Sequence, residues 1–514
     1  MAKITAFNLV SVFFAASGGF TYGFGFGVFT SSIGQPGFFS YFNLVKGSTY
    51  EANIIDAINS LFAFGAALGA LTQGYTSDWL GRRRAIFAAA IMCIIGGALT
   101  AGSAAIPMLI IVRFFQGIGL GQCVTLAPLY ISEIAPARRR GLLIGVFSAA
   151  LGTGYTVVAW ISFGTHYATN ETVQWRVPLA LACVAPLAQA IGVWFIPESP
   201  RWLVLKDRKE DAWQIVRRLH RDPNDAEERN AQAEFTQICR QVAYDKQFDV
   251  SYWQMFRRPS WRKRSFLVLF LMFASQSTGV LGIGNFAILI YESLGFTGGL
   301  PIMMNAVYTL IGTSATFLGS YLADRVGRRT LLVIGFPINA MFLLGEALLQ
   351  RQYVDGTGAS SHAGLSACVL FLFLYIVSYD ICIDPVSFIY VAEVWPTAVR
   401  SKGIALGWFA YFMGTLTYTT LAALAFKNIS WRYYMVFFGC NIVSSIAIYF
   451  FLPETKGKTL EEMGDLFGDE VVVHMADDGR GFVETGGDLM ESKVAADGEV
   501  VMQEVVDTER EGTV

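Results

Sequence analysis

Residues 78–84 read Asp-Trp-Leu-Gly-Arg-Arg-Arg, and 246 positions on, residues 324–329 read Asp-Arg-Val-Gly-Arg-Arg, with one spacing from acid to glycine to arginine pair. Each stretch separates two long apolar runs. Further landmarks recur in the same order. Tyr130-Ile-Ser-Glu133-Ile-Ala-Pro136, followed by Arg139-Arg140-Gly141, matches Tyr390-Val-Ala-Glu393-Val-Trp-Pro396, followed by Arg400-Ser-Lys402-Gly403, at an offset of 260. Pro197-Glu198-Ser199-Pro200-Arg201 matches Pro453-Glu454-Thr455-Lys456-Gly457, and Trp175-Arg176 matches Trp431-Arg432. Landmarks recurring at nearly constant offset mark a duplicated unit.

The unit is built for lipid. Of 514 residues 54% are hydrophobic and 15% charged, against about 25% charged in soluble domains. A spanning helix needs about 20 apolar residues. Twelve such segments run roughly 8 to 29, 54 to 76, 85 to 104, 107 to 130, 141 to 163, 176 to 197, 265 to 290, 301 to 323, 330 to 350, 365 to 391, 402 to 425 and 431 to 453. Barrel strands would be half as long. The expectation is an all-α polytopic membrane protein: an N-terminal bundle over 1–197, an intracellular helical linker over 198–264, a C-terminal bundle over 265–454, and an acidic, disordered tail over 455–514.

With both termini inside, 32 of the 38 Lys and Arg residues fall in cytoplasmic segments, which satisfies the positive-inside bias. The linker holds 15 of them in interrupted amphipathic patterns, and the tail from Glu454 holds 17 acids. Six of seven cysteines lie in spans and Cys239 in the linker, without disulfide or zinc spacing. There is no phosphate loop, nucleophile elbow or paired-histidine motif. The composition therefore argues against an enzyme, a bound metal, a cofactor or a nucleic-acid partner.

Gly81 and Gly327 suit tight turns, since glycine tolerates backbone conformations closed to other residues. Asp78, Arg82 and Arg83, with Asp324, Arg328 and Arg329, then form charge layers that pair between helix ends or across the halves. Glu133 with Arg139 and Arg140, and Glu393 with Arg400, offer a second layer. Glu198, Arg201 and Glu454 complete a candidate cytoplasmic gate. The plainer alternative is that these charges only retain loops inside. Gly23-x-x-x-Gly27, Gly65-x-x-x-Gly69 and Gly117-x-x-x-Gly121 permit close helix approach.

Residues 8 to 460 resemble the major facilitator superfamily, in its sugar porter branch, through Gly81-Arg82-Arg83, Pro197–Arg201, Val326–Arg329 and Pro453-Glu-Thr-Lys-Gly-Lys-Thr-Leu-Glu461, and Glu393-Val-Trp-Pro-Thr397 with Arg400-Ser-Lys402-Gly403 looks like its fungal members. The resemblance implies two six-helix bundles, a site between them and alternating access. It also shows departures. Where proton-coupled members carry Gly-Tyr-Asp in span 1, this chain has Gly23-Phe24-Gly25, while the arginine of span 4 remains as Arg113. The span 7 amide motif is reduced to Ser275-Gln276-Ser277-Thr278-Gly279; the positions of other sugar contacts hold Ser148, Gly312, Phe388, Tyr411 and Phe412.

The mid-span acids are Asp380 and Asp384, four residues apart and so on one helix face. They are candidates, with Arg113, for loading and releasing a proton, or else are a solvated pair at the Pro385 kink. Asp56 and Glu346 read as boundary residues near the outer ends. Candidate substrate contacts are Gln276, Ser275, Thr278, Asn285, Ser148, Phe388, Tyr411 and Phe412, each of which also suits ordinary interhelical bonding. The reading is a monomeric secondary or facilitative transporter in the plasma membrane, moving a sugar, polyol or related solute, with proton symport. The alternatives are an importer or exporter of a metabolite or of an organic or aromatic acid held by Arg113, and a non-transporting nutrient sensor.

Overall fold

A computed structural model of the chain describes residues 6–45, 48–135, 140–220, 228–246, 250–354, 362–420, 422–456, 462–468, 473–475, 482–484, 489–494 and 500–504. Among the described residues twelve helices are long and apolar enough to cross a membrane: Phe7–Ile33, Thr49–Leu80, Arg82–Ala101, Ile106–Ile134, Gly141–His166 and Glu171–Phe195, then Pro259–Gly284, Leu300–Val326, Arg328–Tyr353, Ala363–Glu393, Arg400–Phe426 and Arg432–Phe451. They are called spans 1 to 12. Helix is the outcome because lipid offers no partner for backbone N–H and C=O groups. The outward faces are apolar, with Phe13, Met341, Phe450 and Phe451 each about two-thirds or more exposed.

The duplication seen in the sequence reappears as packing. Within the first half, span 1 packs on 5, 2 on 4, 3 on 4 and 3 on 6; within the second, 7 packs on 11, 8 on 10, 9 on 10 and 9 on 12. The halves meet along span 2 with 11 and span 5 with 8, pairs that exchange under the same repeat. Spans 2 and 4 cross in backbone contact. A Cβ on Gly65 or Gly69 would strike the carbonyls of Phe114 or Ile118, and one on Gly117 or Gly121 those of Phe62 or Ala66. The two small-residue stripes are thus reciprocal, the geometry through which membrane helices gain dispersion contacts without a hydrophobic driving force.

Spans 7 and 10 are interrupted. Span 7 is helical over Pro259–Gln276, turns through Gly279 at φ +91°, and resumes at Val280–Gly284. Span 10 stops at Cys382 and restarts as Asp384–Glu393, with Pro385 in its first turn. Proline has no N–H to give and fits a first turn. Between the halves lie short helices Pro200–Leu205, Lys209–Leu219, Arg229–Asp245 and Tyr252–Arg257. The first three share a small core of Leu203, Trp213, Val216, Phe235 and Ile238. They brace span 2 from the arginine-rich end: Trp202 Nε1 donates to the Asp78 carbonyl at 3.0 Å and the Tyr252 hydroxyl to that of Leu71 at 2.8 Å. In the tail, short strands Val473–Met475, Phe482–Glu484, Leu489–Val494 and Val500–Glu504 pair antiparallel in chain order.

Candidate functional site

The two repeated loops build the same object twice. Gly81 and Gly327 turn at φ +90° and +115°, and a Cβ on either would stand 2.6 or 2.7 Å from a carboxylate oxygen of Glu198 or Glu454. Those carboxylates cap the helices that begin next. Glu198 accepts from the backbone N–H of Arg82 at 2.9 Å and Arg83 at 3.2 Å, and Glu454 from those of Arg328 and Arg329 at 3.0 Å. Free N–H groups at a helix start favour a negative charge. Burial pushes the Glu198 carboxyl up, opposed by the N–H groups of Ser199 and Arg83.

Each arginine then ties three elements together. Arg82 bonds Glu133 at 2.8 Å and Asp78 at 3.2 Å, as Arg328 bonds Glu393 at 3.0 Å and Asp324 at 2.7 Å. Arg83 and Arg329 reach the carbonyls of Trp194 and Tyr449. These bonds lie within a half. The contact across the halves is Lys402 Nζ to Asp78 Oδ2 at 2.8 Å, joined by the Ser401 hydroxyl at 3.1 Å. Gly141 of the first half lies against Asp324 and Arg328 of the second. Arg139 and the side chain of Arg140 fall outside the described residues. Arg400 donates to the Trp395 carbonyl at 3.3 Å. With Arg201 it acts on Asp245 of the intracellular helices, whose carboxyl burial lifts to about 6.

Above this layer a cavity opens between the halves, with about 110 Å³ available to the centres of water molecules, several times what one water needs. Spans 1, 5, 7, 8, 10 and 11 line it; beside the hydroxyls of Ser31, Thr309 and Thr316 its polar groups include Thr30, Asn285, Asn305, Thr313, Asp380 and Asp384, with Tyr155, Tyr308, Tyr379 and Tyr411 as its phenols. Bonds cross it from half to half: Thr30 donates to Asn285 Oδ1 at 3.0 Å, Thr156 and Thr313 share a bond at 2.8 Å, and Ser148 donates to Asp384 Oδ2 at 2.8 Å. Asp384 lies in the first turn of the restarted helix. The interruption of span 10 still leaves both acids facing one space. Gly312 makes room for Asp380, since a Cβ there would meet its Oδ2.

Of the expected substrate contacts, Asn285 and Tyr411 line the cavity and the others stand behind it. Ser275 donates to the Met272 carbonyl and Thr278 to that of Ser275, while Tyr375 donates to the Thr278 carbonyl. These bonds satisfy the backbone where span 7 breaks. Gln276 Oε1 accepts from Thr415 of span 11 at 3.4 Å. Ser148 serves Asp384. Phe388 stacks on Trp408 at 4.7 Å, and Phe412 packs on Tyr22 and Trp408.

Arg113 corrects another expectation. It is 1% exposed and does not line the cavity. One guanidinium nitrogen donates to the Gly25 carbonyl and to Gln116 Oε1, both at 3.0 Å, and the group lies 4.3 and 5.1 Å from the rings of Phe62 and Phe29. A carbonyl, an amide and two π faces replace the acid missing from span 1. Asp56 and Glu346 lie within two turns of the ends of spans 2 and 9, and both are buried, Glu346 accepting from Gln350 at 2.8 Å. Apart from Tyr411, the cavity's phenols were not anticipated. Tyr22 lies in electrostatic reach of both Arg113 and Asp384. Mid-span tyrosines were the available signal, but a tyrosine in an apolar run reads equally as core.

A profile of the family described as "Sugar (and other) transporter" matches residues 11–467. The chain is 33% identical over 465 residues to the MFS-type transporter criB of Aspergillus cristatus, covering 90% of this chain and 93% of that one. It is 29% identical to the MFS glucose transporter mfs1 of Aspergillus flavus, covering 88% of each. Its fold is similar to that of the MFS proton:xylose symporter XylE bound to 6-bromo-6-deoxy-D-glucose, with a TM-score of 0.79 at 21% identity over 90% of this chain and all of the other. Twelve spans, the duplicated loops and the family match agree: the chain is an integral membrane protein that belongs to the sugar-transporter family of the major facilitator superfamily.

Proposed function

We propose that the protein is a proton-coupled carrier of a sugar or similar polyhydroxylated solute, working as a monomer in the plasma membrane with its arginine-rich face and both termini in the cytoplasm. The observation that carries this reading is the bond from Ser148 to Asp384, which joins the halves at the cavity. A carboxylate accepts that bond with either oxygen; a protonated carboxyl brings a donor of its own to the same contact. Occupancy by a proton therefore changes the energy of bringing the halves together, the property a symporter needs. The relatives support the substrate class, since one is named a glucose transporter and the structural neighbour a proton:xylose symporter.

The arrangement disfavours the organic-acid reading. Arg113 is engaged elsewhere, and two carboxyls face the space an anion would enter. The test is uptake of radiolabelled hexoses, pentoses and polyols into proteoliposomes under an imposed pH gradient. Accumulation above equilibrium only with the gradient supports symport. Equilibration without accumulation would make the protein a facilitator, and uptake of no polyol would remove the substrate class.

A further inference from the structure

A second cavity lies at the arginine-rich end of the first half, between the start of span 3, the end of span 6 and the linker helix Lys209–Leu219. About 580 Å³ of it is open to the centres of water molecules, against about 110 Å³ in the central cavity. Arg83, Arg84, Arg208 and Arg218 line it, against two acids, Glu198 and Asp211. Both acids are committed. Glu198 caps span 3, and Asp211 pairs with Arg208 at 2.7 Å. The other three guanidinium groups meet no carboxylate among the described residues. Arg83 donates to the Trp194 carbonyl and lies 4.7 Å from the ring of that residue, with its Nε buried and unbonded. Arg218 stands 4.6 Å from the Phe7 ring, and Arg84 is exposed on the rim. A cleft lined by one sign of charge gathers ions of the other.

We infer that this cavity binds a phosphomonoester, held between Arg83 and Arg84 of span 3 and Arg218 of the linker helix. A phosphomonoester carries about −1.5 to −2 at pH 7, which matches the lining's excess of two arginines over acids. A carboxylate would cancel only half of it. Guanidinium forks also fit phosphate oxygens in pairs. Bound there, the anion joins the linker to span 3 beside the Glu198 cap. Two sources offer this chemistry, a soluble sugar or inositol phosphate and a phosphoinositide headgroup. Trp194 and Phe195 on the rim, 53% and 69% exposed, stand where lipid gives way to water. The site is separate from the central cavity and does not depend on what that cavity carries.

The experiment has two arms on the purified full-length protein. The first is equilibrium binding of glucose 6-phosphate in uncharged detergent with excess glucose present, at about 0.15 M salt so that diffuse attraction is screened. The second is retention of phosphatidylinositol 4-phosphate from phosphatidylcholine nanodiscs, read by native mass spectrometry against phosphatidylinositol, which lacks the monoester. Arg84→Gln and Arg218→Gln should each weaken the phosphate probe about 3- to 10-fold, as expected for exposed charges, and the double variant more than tenfold. Arg84→Lys and Arg218→Lys should keep part of the binding. Arg325→Gln, on the matching loop of the second half and outside this cavity, should keep all of it. Neither side chain takes part in an ion pair among the described residues, so thermal midpoints should hold in every variant. Loss in the first arm identifies a soluble ester and loss in the second alone a headgroup; both uphold the site. Binding of neither probe above its counterpart overturns it. So does binding that survives the double variant, or that falls equally in Arg325→Gln.

Discussion

Lys402→Ala removes the ion pair that ties span 11 to Asp78 across the two halves. The lysine side chain is 6% exposed and the aspartate 29%, so the pair is neither a surface bridge nor fully buried. Exposed pairs are worth about 0–1 kcal/mol and hydrogen bonds to charged groups about 1.5–3 kcal/mol; about 2 kcal/mol is reasonable for this geometry. No orphan charge inflates the loss, because Asp78 keeps Arg82 at 3.2 Å and Ser401 at 3.1 Å. At 1.4 kcal/mol per decade, about 2 kcal/mol shifts the ratio of closed to open arginine-rich face about 30-fold. The reporter is Ser320→Cys, placed where Ser320 meets the Gly145 carbonyl at 3.4 Å between spans 8 and 5. In inside-out vesicles, its labelling by an impermeant maleimide, read by mass spectrometry on that peptide, should accelerate more than tenfold in Lys402→Ala and little in Lys402→Arg. Labelling within twofold of the parent would refute the latch and return these charges to a topological role.

Glu198→Gln and Glu454→Gln each weaken a cap made to two backbone N–H groups, so the thermal midpoint should fall in both by a similar amount. A fall in one alone would contradict the equivalence of the repeats. Gly69→Leu drives a side chain into the Ile118 carbonyl of span 4 and should abolish folded protein in size-exclusion chromatography; normal recovery would mean the crossing is looser than described. For Asp245, burial lifts the carboxyl from 3.8 to about 6. The folded state therefore holds its proton more tightly than the unfolded state between those values. The stability it contributes is present below about pH 4 and lost as pH rises through about 6. Thermal midpoints across pH 4–7 should decline less in Asp245→Asn than in the parent, and parallel curves would show that the group is not buried as described.

The fold was readable because lipid imposes length and apolarity on each span, and because a turn glycine, a capping acid and an arginine pair must keep their spacing wherever they build the same corner. Asp380 and Asp384 were readable as rare acids at mid-span. Other features depend on partners far along the chain. Lys402 sits inside a quoted motif, yet its partner, Asp78, lies 324 residues away in the other half. Arg113 needed an anion, a carbonyl or water, and which of these it meets, the Gly25 carbonyl beside the faces of Phe29 and Phe62, depends on spans 1 and 2. Gln276 looked like a substrate contact until the break of span 7 placed it against Thr415, behind the wall. Tyr155 and Tyr308 share one cavity only because spans from both halves meet there.

The central claim is that Asp384 couples proton occupancy to the meeting of the halves. Its most direct test is the pH of a weakly buffered suspension of proteoliposomes when a transported sugar is added. The wild-type protein should alkalinise the medium as protons enter with the solute, and Asp384→Asn should not. Solute entry without alkalinisation in the wild type, or equal alkalinisation in Asp384→Asn, would contradict it.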